Sequence, residues 1–588
     1  MRNGVAERRA EALRHVLTRG RWRPRQRDTT WRSPSRLRII ATIASLLIAA
    51  PLSPRAQIPV DSILVNGHVI TVDARFSIAE AVAIAGGKFT AVGTNAAIRK
   101  LAGPNTNVID LHGQTVIPGL ADDHLHDAGG GPGVDLSRTR SIADVLAAVK
   151  ARVAQSQPGE VIVSNSDWHE AQLTEHRLPY RKDLDPVSPN NPVVLVRGGH
   201  EYILNSAALD KWKVTKDTAQ LPGGRITRGD DGELNGELID RAKSLVQLPP
   251  GPRVTIESLI EQHKKLNAAG LTSIRYPGAS IEQYRLLQEM ERRNLLTIRV
   301  SQLMRVGADD AAKMRAAVTA LNVKADEGNE WVHVGGMKLG VDGGFEGGWM
   351  REPYAEPWGE HGTFYGLNTM KQAPYTDVVK ELNRLGWRVS THAVGDAAID
   401  EVLTAYEAAN AERSIAGKRW TIEHGFIPQA DQFPRMKALD LVISAQNHLY
   451  LAGPSLVAYW GPKRAAWTTP VRAYLDRGFV VAGGTDSAVV PYPPLWVIYH
   501  FVTRDTISGG VLGADQKISR QDALRLATIN NAFLTFEERL KGSIEAGKLA
   551  DLVVLPEDIL TCPEKHIEQM RIVMTMVGGK IVYGRPPS

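Results

Sequence analysis

Residues 116–126 read VIPGLADDHLH. An apolar run ends in two aspartates and a His-x-His pair, so ionisable side chains follow directly after a predicted β-strand. Residues i and i+2 of an extended segment point to the same side, which lets His124 and His126 face one metal ion. The stretch predicts a buried strand at Val116–Leu120 with a metal site at its carboxyl end.

Seven further apolar runs follow, and helical patterns separate them. Strands that alternate with helices are typical of βα units around a parallel sheet. Eight such strands predict an α/β fold, a (β/α)8 barrel of the TIM type. The other predicted strands are Leu271–Tyr276, Ile298–Leu303, Val334–Val341, Arg388–Thr391, Trp420–Glu423, Leu441–Ala445 and Phe479–Gly483.

The two ends of the chain resemble each other. Residues 62–72 (SILVNGHVITV) and 571–583 (RIVMTMVGGKIVY) alternate apolar residues around an Asn-Gly or Gly-Gly pair, which indicates a β-hairpin in each. We therefore expect residues 57–118 and 543–588 to form one composite β-sandwich domain. Residues 119–542 are then the barrel domain.

The connection between the first two barrel strands is too long for one helix. It contains its own strand-like run, Pro192–Arg197 (PVVLVR), so we expect an inserted subdomain within about residues 127–270. A second long connection, Gly343–Gly366, follows the fourth strand and is rich in Gly and aromatic residues. It predicts either a lid over the barrel mouth or a surface loop that packs its own tryptophans.

Charge is distributed unevenly along the 588 residues. The chain has 70 Lys+Arg and 64 Asp+Glu, a formal net charge of +6, yet residues 1–38 hold 12 Arg against three acidic residues. The remaining 550 residues carry −3, which argues against nucleic-acid binding. With 43% hydrophobic and 23% charged residues the composition is that of a folded globular protein. The single cysteine, Cys562, excludes an intramolecular disulfide and a Cys-rich zinc site.

Residues 1–56 have the pattern of an export leader. The Arg-rich segment precedes Ile39–Leu52, fourteen residues without a charge. That run is shorter than the roughly 20 residues of a membrane-spanning helix and matches a signal-peptide core. We expect cleavage after Ala56 and export to the bacterial periplasm or the medium. The alternatives are an uncleaved membrane anchor and a disordered tail.

Ionisable residues recur at the carboxyl ends of the later strands, where barrel enzymes keep their active sites. They are Lys338 in MKLGVDGG, His392 in THAVGDAAID, His424 in TIEHG and Asp486 in GGTDS. His392 and His424 lie 32 residues apart, about one βα unit, and Asp486 lies 62 residues further on, about two. These intervals predict that the four residues join the first His pair in one site.

These motifs resemble those of the amidohydrolase superfamily. Within it they resemble the amidohydrolase-3 branch, the YtcJ-like metal-dependent hydrolases that include N-substituted formamide deformylase. The segments NPVVLVRGGHEYILNSAAL and GSIEAGKLADLVVL extend the resemblance to roughly residues 58–585. It implies a metal-dependent barrel with a small β-sandwich formed by both chain ends.

The resemblance also implies a ligand set for a divalent metal, with Zn²⁺ the expected ion and one or two ions per chain. His124 and His126 would bind one ion together with Asp486. His392 and His424 would bind a second.

Lys338 would be carboxylated on its amine and bridge the two ions, and the alternative is an unmodified lysine beside a single ion. A zinc ion lowers the pKa of its bound water from 15.7 to about 7, which supplies hydroxide at neutral pH. Asp486 would take up the water proton and return it to the leaving amine. His424 and His392 complete the expected catalytic set, since a second ion or a neutral histidine would polarise the carbonyl group.

Four further residues are candidate substrate contacts: His200 in RGGH, Trp168, Asp342 and Gln446, although core or loop roles fit them as well. Where many members of the branch have a Gly-Ser and small-residue stretch after the strand-four lysine, this chain has residues 343–346 (GGFE), which indicates a differently shaped and more acidic pocket. Asp396 begins a helical pattern and fits an N-cap.

The predicted function is metal-dependent hydrolysis of a non-peptide, amide- or formamide-like C–N bond in a small molecule. One alternative is the same metal site acting on a lactone or ester, or in a decarboxylation or isomerisation. Another is a catalytically silent scaffold that serves in binding. The expected partner is a small-molecule substrate, without nucleic acid and without a membrane beyond the leader, and a homo-oligomer remains open.

Overall fold

The structure is a computed structural model that describes residues 59–490 and 492–587. The leader predicted for residues 1–56 lies outside the described residues. The described chain opens with seven short strands: β1 Ser62–Val65, β2 His68–Ile70, β3 Ile78–Ala79, β4 Ala81–Ala85, β5 Lys88–Gly93, β6 Asn107–Asp110 and β7 Thr115–Pro118.

The hairpin predicted for residues 62–72 is wrong. β1 pairs with β4 and β6, whereas β2 pairs with β3 and β7 in a second sheet. Asn66, with a φ of +57°, turns the chain from one sheet into the other. An Asn-Gly pair between apolar strands marks a tight turn. It does not say whether the flanking strands pair with each other or with strands further along the chain.

The first barrel strand is β8, Leu120–Asp122, and it is shorter and later than the strand predicted at Val116–Leu120. Most of the predicted strand is β7, which belongs to the sheet shared by the chain ends. Gly119 separates the two strands and passes close to Thr272, where a Cβ atom would lie 2.2 Å from the threonine Oγ1. The apolar run is continuous because both strands are buried, so its composition does not reveal the break.

A separate five-stranded sheet lies between β8 and the next barrel strand. Its order is β12-β13-β11-β10-β9, and β10 matches the strand predicted at Pro192–Arg197. Side chains such as Leu136, Val149 and Leu195 form its own hydrophobic cluster. The strands are β9 Ile162–Val163, β10 Val193–Arg197, β11 Glu201–Leu204, β12 Gly224–Arg228 and β13 Leu234–Asp240.

The α/β barrel is confirmed. Eight parallel strands follow one another in sequence order from β8 to β20, and the amide of Asp123 donates to the carbonyl of Gly483 at 3.3 Å, which joins the first strand to the last. Each of the seven later strands overlaps its predicted range. They are β14 Leu271–Ala279, β15 Arg299–Met304, β16 Val332–Gly340, β17 Val389–Ala393, β18 Thr421–His424, β19 Val442–Gln446 and β20 Val481–Gly484.

Helices cover the outer face of the barrel, so its strands are almost entirely buried. Within the described residues, no helix has the length and apolar character that crossing a membrane requires. The α-helices are Asn95–Arg99, Ile142–Val153, Arg181–Leu184, Ser206–Lys211, Ile256–Ala268, Ile281–Arg292, Ala311–Leu321, Gln372–Arg384, Asp396–Glu412, Gln432–Ala438, His448–Trp460, Pro462–Trp467, Val471–Asp476, Pro494–Thr503, Arg520–Leu526, Ile529–Leu534 and Glu564–Gln569.

The C-terminal strands are β21 Leu552–Leu555, β22 Met574–Val577 and β23 Lys580–Gly584. β21 pairs with β7, so both ends of the chain contribute to one six-stranded sheet. β22 and β23 form the hairpin predicted around the Gly-Gly pair. The six-stranded sheet and the β5-β4-β1-β6 sheet share one hydrophobic cluster.

A buried ion pair connects the barrel to the C-terminal segment. Arg299 in β15 donates to both carboxylate oxygens of Asp551, from Nε at 2.7 Å and from Nη2 at 3.0 Å. Asp551 also accepts the amide of Gly578 at 2.7 Å. Because neither charge reaches water, each depends on the other for compensation.

We expect Asp551→Ala to lower the free energy of unfolding by about 3–5 kcal/mol, because Arg299 is left as an uncompensated buried charge. Urea denaturation measures the change. The matched control is Asp476→Ala, which removes the partner of Arg472 in an exposed pair with a 2.7 Å contact and should cost about 1 kcal/mol or less. Equal losses in the two variants would contradict the role assigned to the buried pair.

Candidate metal centre

Three side chains converge at the carboxyl ends of β8, β18 and β20. One potential ligand atom from each of His124, His424 and Asp486 lies within 4.8 Å of the other two, and all three residues are buried. Two imidazole nitrogens and a carboxylate oxygen at this spacing suit one divalent transition-metal ion such as Zn²⁺. His126 adjoins the group, with Nε2 at 3.2 Å from Oδ1 of Asp486.

The other two predicted ligands lie beside this group. The His392 ring is 4.6 Å from the His424 ring, and its Nε2 is 3.1 Å from the carbonyl oxygen of Gly343. Nζ of Lys338 is 3.4 Å from Nε2 of His124. All six predicted ligands therefore line the same cavity, which has a volume of about 930 Å³.

Backbone geometry sets two of these residues apart. His424 has a φ of +72° and Asp486 a φ of +60°, in the left-handed region that non-glycine residues seldom adopt. Such conformations persist where the surroundings fix them, and they concentrate at functional sites. The amide of Asp486 is held by the carbonyl of His124 at 2.6 Å, so the first and last strands of the barrel position each other's site residues.

Buried hydrogen bonds orient both imidazoles of the central group. Nδ1 of His124 bonds to Glu423 at 2.6 Å, and Nδ1 of His424 donates to Oε1 of Gln446 at 2.7 Å. Each bond leaves Nε2 free to face the ligand cluster. Metal-bound histidines are held in this way by outer-shell partners. Gln446, predicted as a substrate contact, is fully buried and positions His424 instead.

Burial keeps the imidazoles neutral. It lowers the pKa of His124 to about 4 and holds the pKa values of His392 and His424 well below the usual range for histidine. The neutral ring is the form that binds a metal ion. The histidines are therefore ready to act as ligands at neutral pH.

Sequence reasoning missed His448, the first residue of the helix that follows β19. Its Nε2 lies 3.0 Å from Oδ2 of Asp486, and both side chains are buried. Burial alone raises the pKa of Asp486, but the neighbouring His124 and the hydrogen bonds from His126 and His448 outweigh it and hold that pKa well below the usual range. The sequence offers one signal for His448, which is its position close behind the carboxyl end of the barrel strand β19.

The remaining candidate contacts occupy three different environments. His200 lines the cavity and is held by Asp240, whose Oδ1 is 2.6 Å from its Nδ1. Asp342 also lines the cavity, but its carboxyl group accepts the backbone amides of the following loop and of Val394, and burial raises its pKa well above the usual range. Trp168 packs in the hydrophobic cluster of the inserted sheet and donates to the carbonyl of Val196 at 2.8 Å.

Asp396 is the first residue of its helix, one position after the N-cap, Gly395. Its carboxylate accepts the amide of Arg351 at 2.8 Å and that of Ala397 at 3.0 Å. The predicted N-cap assignment is therefore off by one residue, although the carboxylate still binds a free amide at the start of the helix.

The Gly343–Gly366 loop forms a packed wall of the site. Phe345, Met350 and Phe364 belong to one hydrophobic cluster with Phe426, which follows β18. Glu346, which the sequence places in a more acidic pocket, is buried and paired with Arg197. The loop thus packs its own aromatic residues and lines a pocket, and its role as a lid stays a prediction.

Two spaces of unequal size adjoin the ligand cluster, and both are lined by His392, His424 and Asp486. One is the cavity of about 930 Å³. The other is a narrow pocket with room of about 20 Å³, lined in part by Phe345 and Phe426, which is enough for about one water-sized group. The two spaces also share Gly199 and His200 as lining residues, so a tight space adjoins a wide one at the ligand cluster.

A nearly closed barrel of eight parallel strands carries a buried His/His/Asp group, a candidate site for a divalent metal ion, at the carboxyl ends of its strands. The chain belongs to the amidohydrolase family, whose sequence profile matches residues 107–583. The protein is therefore a hydrolase that acts on carbon–nitrogen bonds.

Similar proteins support this assignment. The chain is 30% identical over 557 residues to N-substituted formamide deformylase of Arthrobacter pascens, a match that covers 90% of this chain and 99% of the relative. An uncharacterized metal-dependent hydrolase from Pyrococcus horikoshii has a similar structure, with a TM-score of 0.63 and 23% identity over 86% of this chain and 99% of that one. One from Pyrococcus furiosus has a TM-score of 0.61 and 25% identity over 85% and 100% of the two chains.

Proposed function

We propose that this enzyme hydrolyses the C–N bond of small N-substituted formamides or of amides with a similarly short acyl group. The observation that carries the proposal is the unequal size of the two adjoining spaces at the ligand cluster. A pocket with room of about 20 Å³ suits a formyl group, whereas the 930 Å³ cavity accommodates a larger amine substituent. The similarity to a formamide deformylase agrees with this orientation.

The donor set fits a divalent cation, and we take Zn²⁺ as the expected ion. His124, His424 and Asp486 would hold it, with His126 adjacent and His392 available for a second ion. When bound, the cation lowers the pKa of a water molecule and polarises a carbonyl group.

Asp486 is the group that transfers the proton. Its carboxylate is ionised, with Oδ2 held by His448 and Oδ1 directed to His126. It takes one proton from the attacking water and delivers it to the amine nitrogen as the C–N bond breaks, so that a carboxylic acid and a free amine leave. His424 and His392 are neutral and flank the reacting carbonyl.

We expect chelation to abolish hydrolysis of N-benzylformamide and Zn²⁺ to restore it. His424→Ala should lower kcat/KM by about a thousandfold or more, because several kcal/mol of charge stabilisation depend on the ion. The control is His566→Ala, an exposed histidine in the C-terminal segment, which should retain full activity. Turnover that survives both chelation and the His424 change would refute the proposal, and turnover of lactones or esters alone would favour the alternative substrates.

Phe345 sets the size limit on the acyl group because its ring packs 5.7 Å from the ring of Phe426 across the narrow pocket. We expect Phe345→Ala to raise the kcat/KM ratio of N-benzylacetamide to N-benzylformamide about tenfold, the effect of one methyl group in a tight pocket. Phe364→Ala is the matched control, since Phe364 lies in the same hydrophobic cluster but outside the pocket lining. An unchanged ratio in Phe345→Ala would place the acyl group elsewhere.

We also propose that Lys338 is carboxylated. Burial lowers the pKa of its amine to about 8, which leaves part of the amine neutral and able to react with carbon dioxide. Nζ of Lys338 lies 3.4 Å from Nε2 of His124, which supports a role for the modified side chain at the ligand cluster. A buried ammonium at this point would instead repel a cation.

We expect a carbamate signal in ¹³C NMR spectra of enzyme equilibrated with ¹³C-bicarbonate, and no such signal in Lys338→Gln. The signal reports the modification itself and does not depend on turnover. A spectrum of the metal-loaded protein without it would indicate an unmodified lysine beside a single ion.

A further inference from the structure

The large cavity has a cationic rim that the proposed chemistry does not use. The rim consists of Arg241, Lys243 and Arg305, which line the cavity together with the metal-site residues. A fourth cation, Lys313, is already neutralised by Asp309 at 2.6 Å.

Carboxylates do not neutralise the rim cations. Arg241 donates to the carbonyl oxygen of Thr369 at 2.5 Å, and Lys243 donates to that of Gly199. Arg305 is exposed, and within the part of the chain that the structure describes its side chain forms neither an ion pair nor a hydrogen bond. The charge of Arg305 is therefore available to a ligand. That of Lys243 is available in part, because Asp240, Glu201 and Glu346 lie close enough to act on it.

The acidic residues of the same cavity are engaged elsewhere. Asp240 is bound to His200 at 2.6 Å, and the carboxyl group of Asp342 accepts the backbone amides of Trp349 and Val394. Asp486 faces the candidate metal site and its histidines. The part of the cavity wall that carries Arg241, Lys243 and Arg305 thus has an excess of positive charge.

Arg305 lines the same cavity as the candidate metal ligands, so it can contact a substrate bound there. It follows β15, the neighbour of the strand that carries Lys338, so both residues lie at the same end of the barrel. A positively lined cleft with low-dielectric walls concentrates anions.

We propose that the amine portion of the substrate carries a carboxylate, which Arg305 and Lys243 bind at the rim while the acyl group occupies the narrow pocket. The guanidinium fork of arginine matches both oxygens of a carboxylate. Arg305 and Lys243 are positioned for substrate choice, not for bond cleavage. The inference deepens the proposed function and rests on its orientation of the substrate.

The test compares two isosteric formamides, para-(formamidomethyl)benzoate and para-(formamidomethyl)benzamide. We expect Zn²⁺-loaded enzyme to bind the benzoate about tenfold more tightly than the benzamide in isothermal titration calorimetry at low salt. The difference should shrink as salt screens the rim. In turnover assays the benzoate should have a lower KM than the benzamide, and the two compounds should have similar kcat values.

Arg305→Gln should remove most of the preference for the benzoate and leave the benzamide unchanged. The matched control is Arg75→Gln, an exposed arginine between β2 and β3, which should keep the preference. The proposal would be overturned if the enzyme bound the two compounds with equal affinity or did not bind the benzoate. It would also be overturned if Arg305→Gln lowered the affinity for both compounds equally. If the enzyme bound the benzoate more tightly than the benzamide but hydrolysed neither, the anion site would stand and the proposed function would be refuted.

Discussion

The site depends on one buried carboxylate, that of Glu423 in β18. It accepts Arg275 of β14 at 2.6 Å, Ser390 of β17 and Nδ1 of His124 after β8. Burial raises the pKa of Glu423, but the charge of Arg275 and the hydrogen bond from His124 outweigh it and hold that pKa well below the usual range, so the carboxylate stays ionised. A single charge therefore fixes the ligand nitrogen of His124 and links strands from opposite sides of the barrel. Removing it would leave Arg275 unpaired in the core and release the histidine that the cation needs.

This arrangement explains why strand ends, and not flexible loops, carry the site. A ligand set must be held to within a fraction of an ångström, and packed strands provide that rigidity. The left-handed conformations of His424 and Asp486 are tolerated because the neighbouring strands hold them. Gly484 serves the same end, since a Cβ atom there would lie 2.4 Å from Oδ1 of Asp123. The backbone strain at His424 and Asp486 thus occurs where it directs their side chains toward the same site.

The barrel and the six convergent residues were predictable because their signals are local. Each strand is a buried apolar run, and each ionisable residue follows one at a fixed place. Other features depend on partners that are remote in sequence. Whether residues 62–72 form a hairpin depends on β4 and β7, and the break at Gly119 depends on Thr272. For Gln446 and Trp168 the sequence left both a substrate contact and a core role open, because a polar or aromatic residue near a strand end can face either the cavity or the layer beneath it. His448 escaped notice because it begins a helix of otherwise ordinary core residues.

Substrate choice resides in a different part of the molecule from the chemistry. Phe345 closes the narrow pocket, and the adjacent Glu346 is fixed by Arg197 of the inserted sheet, which also pairs with Glu170 and Glu201. Burying one arginine among three carboxyl groups costs desolvation energy, so this cluster is weak evidence for added stability. Its clearer effect is to hold Glu346 in place. In the proposed function this cluster fixes the wall of the acyl pocket through the insertion, while the strand ends hold the candidate ligands. Changes in the loop are then expected to alter the accepted acyl group without disturbing Glu423 and His124, the histidine that it orients.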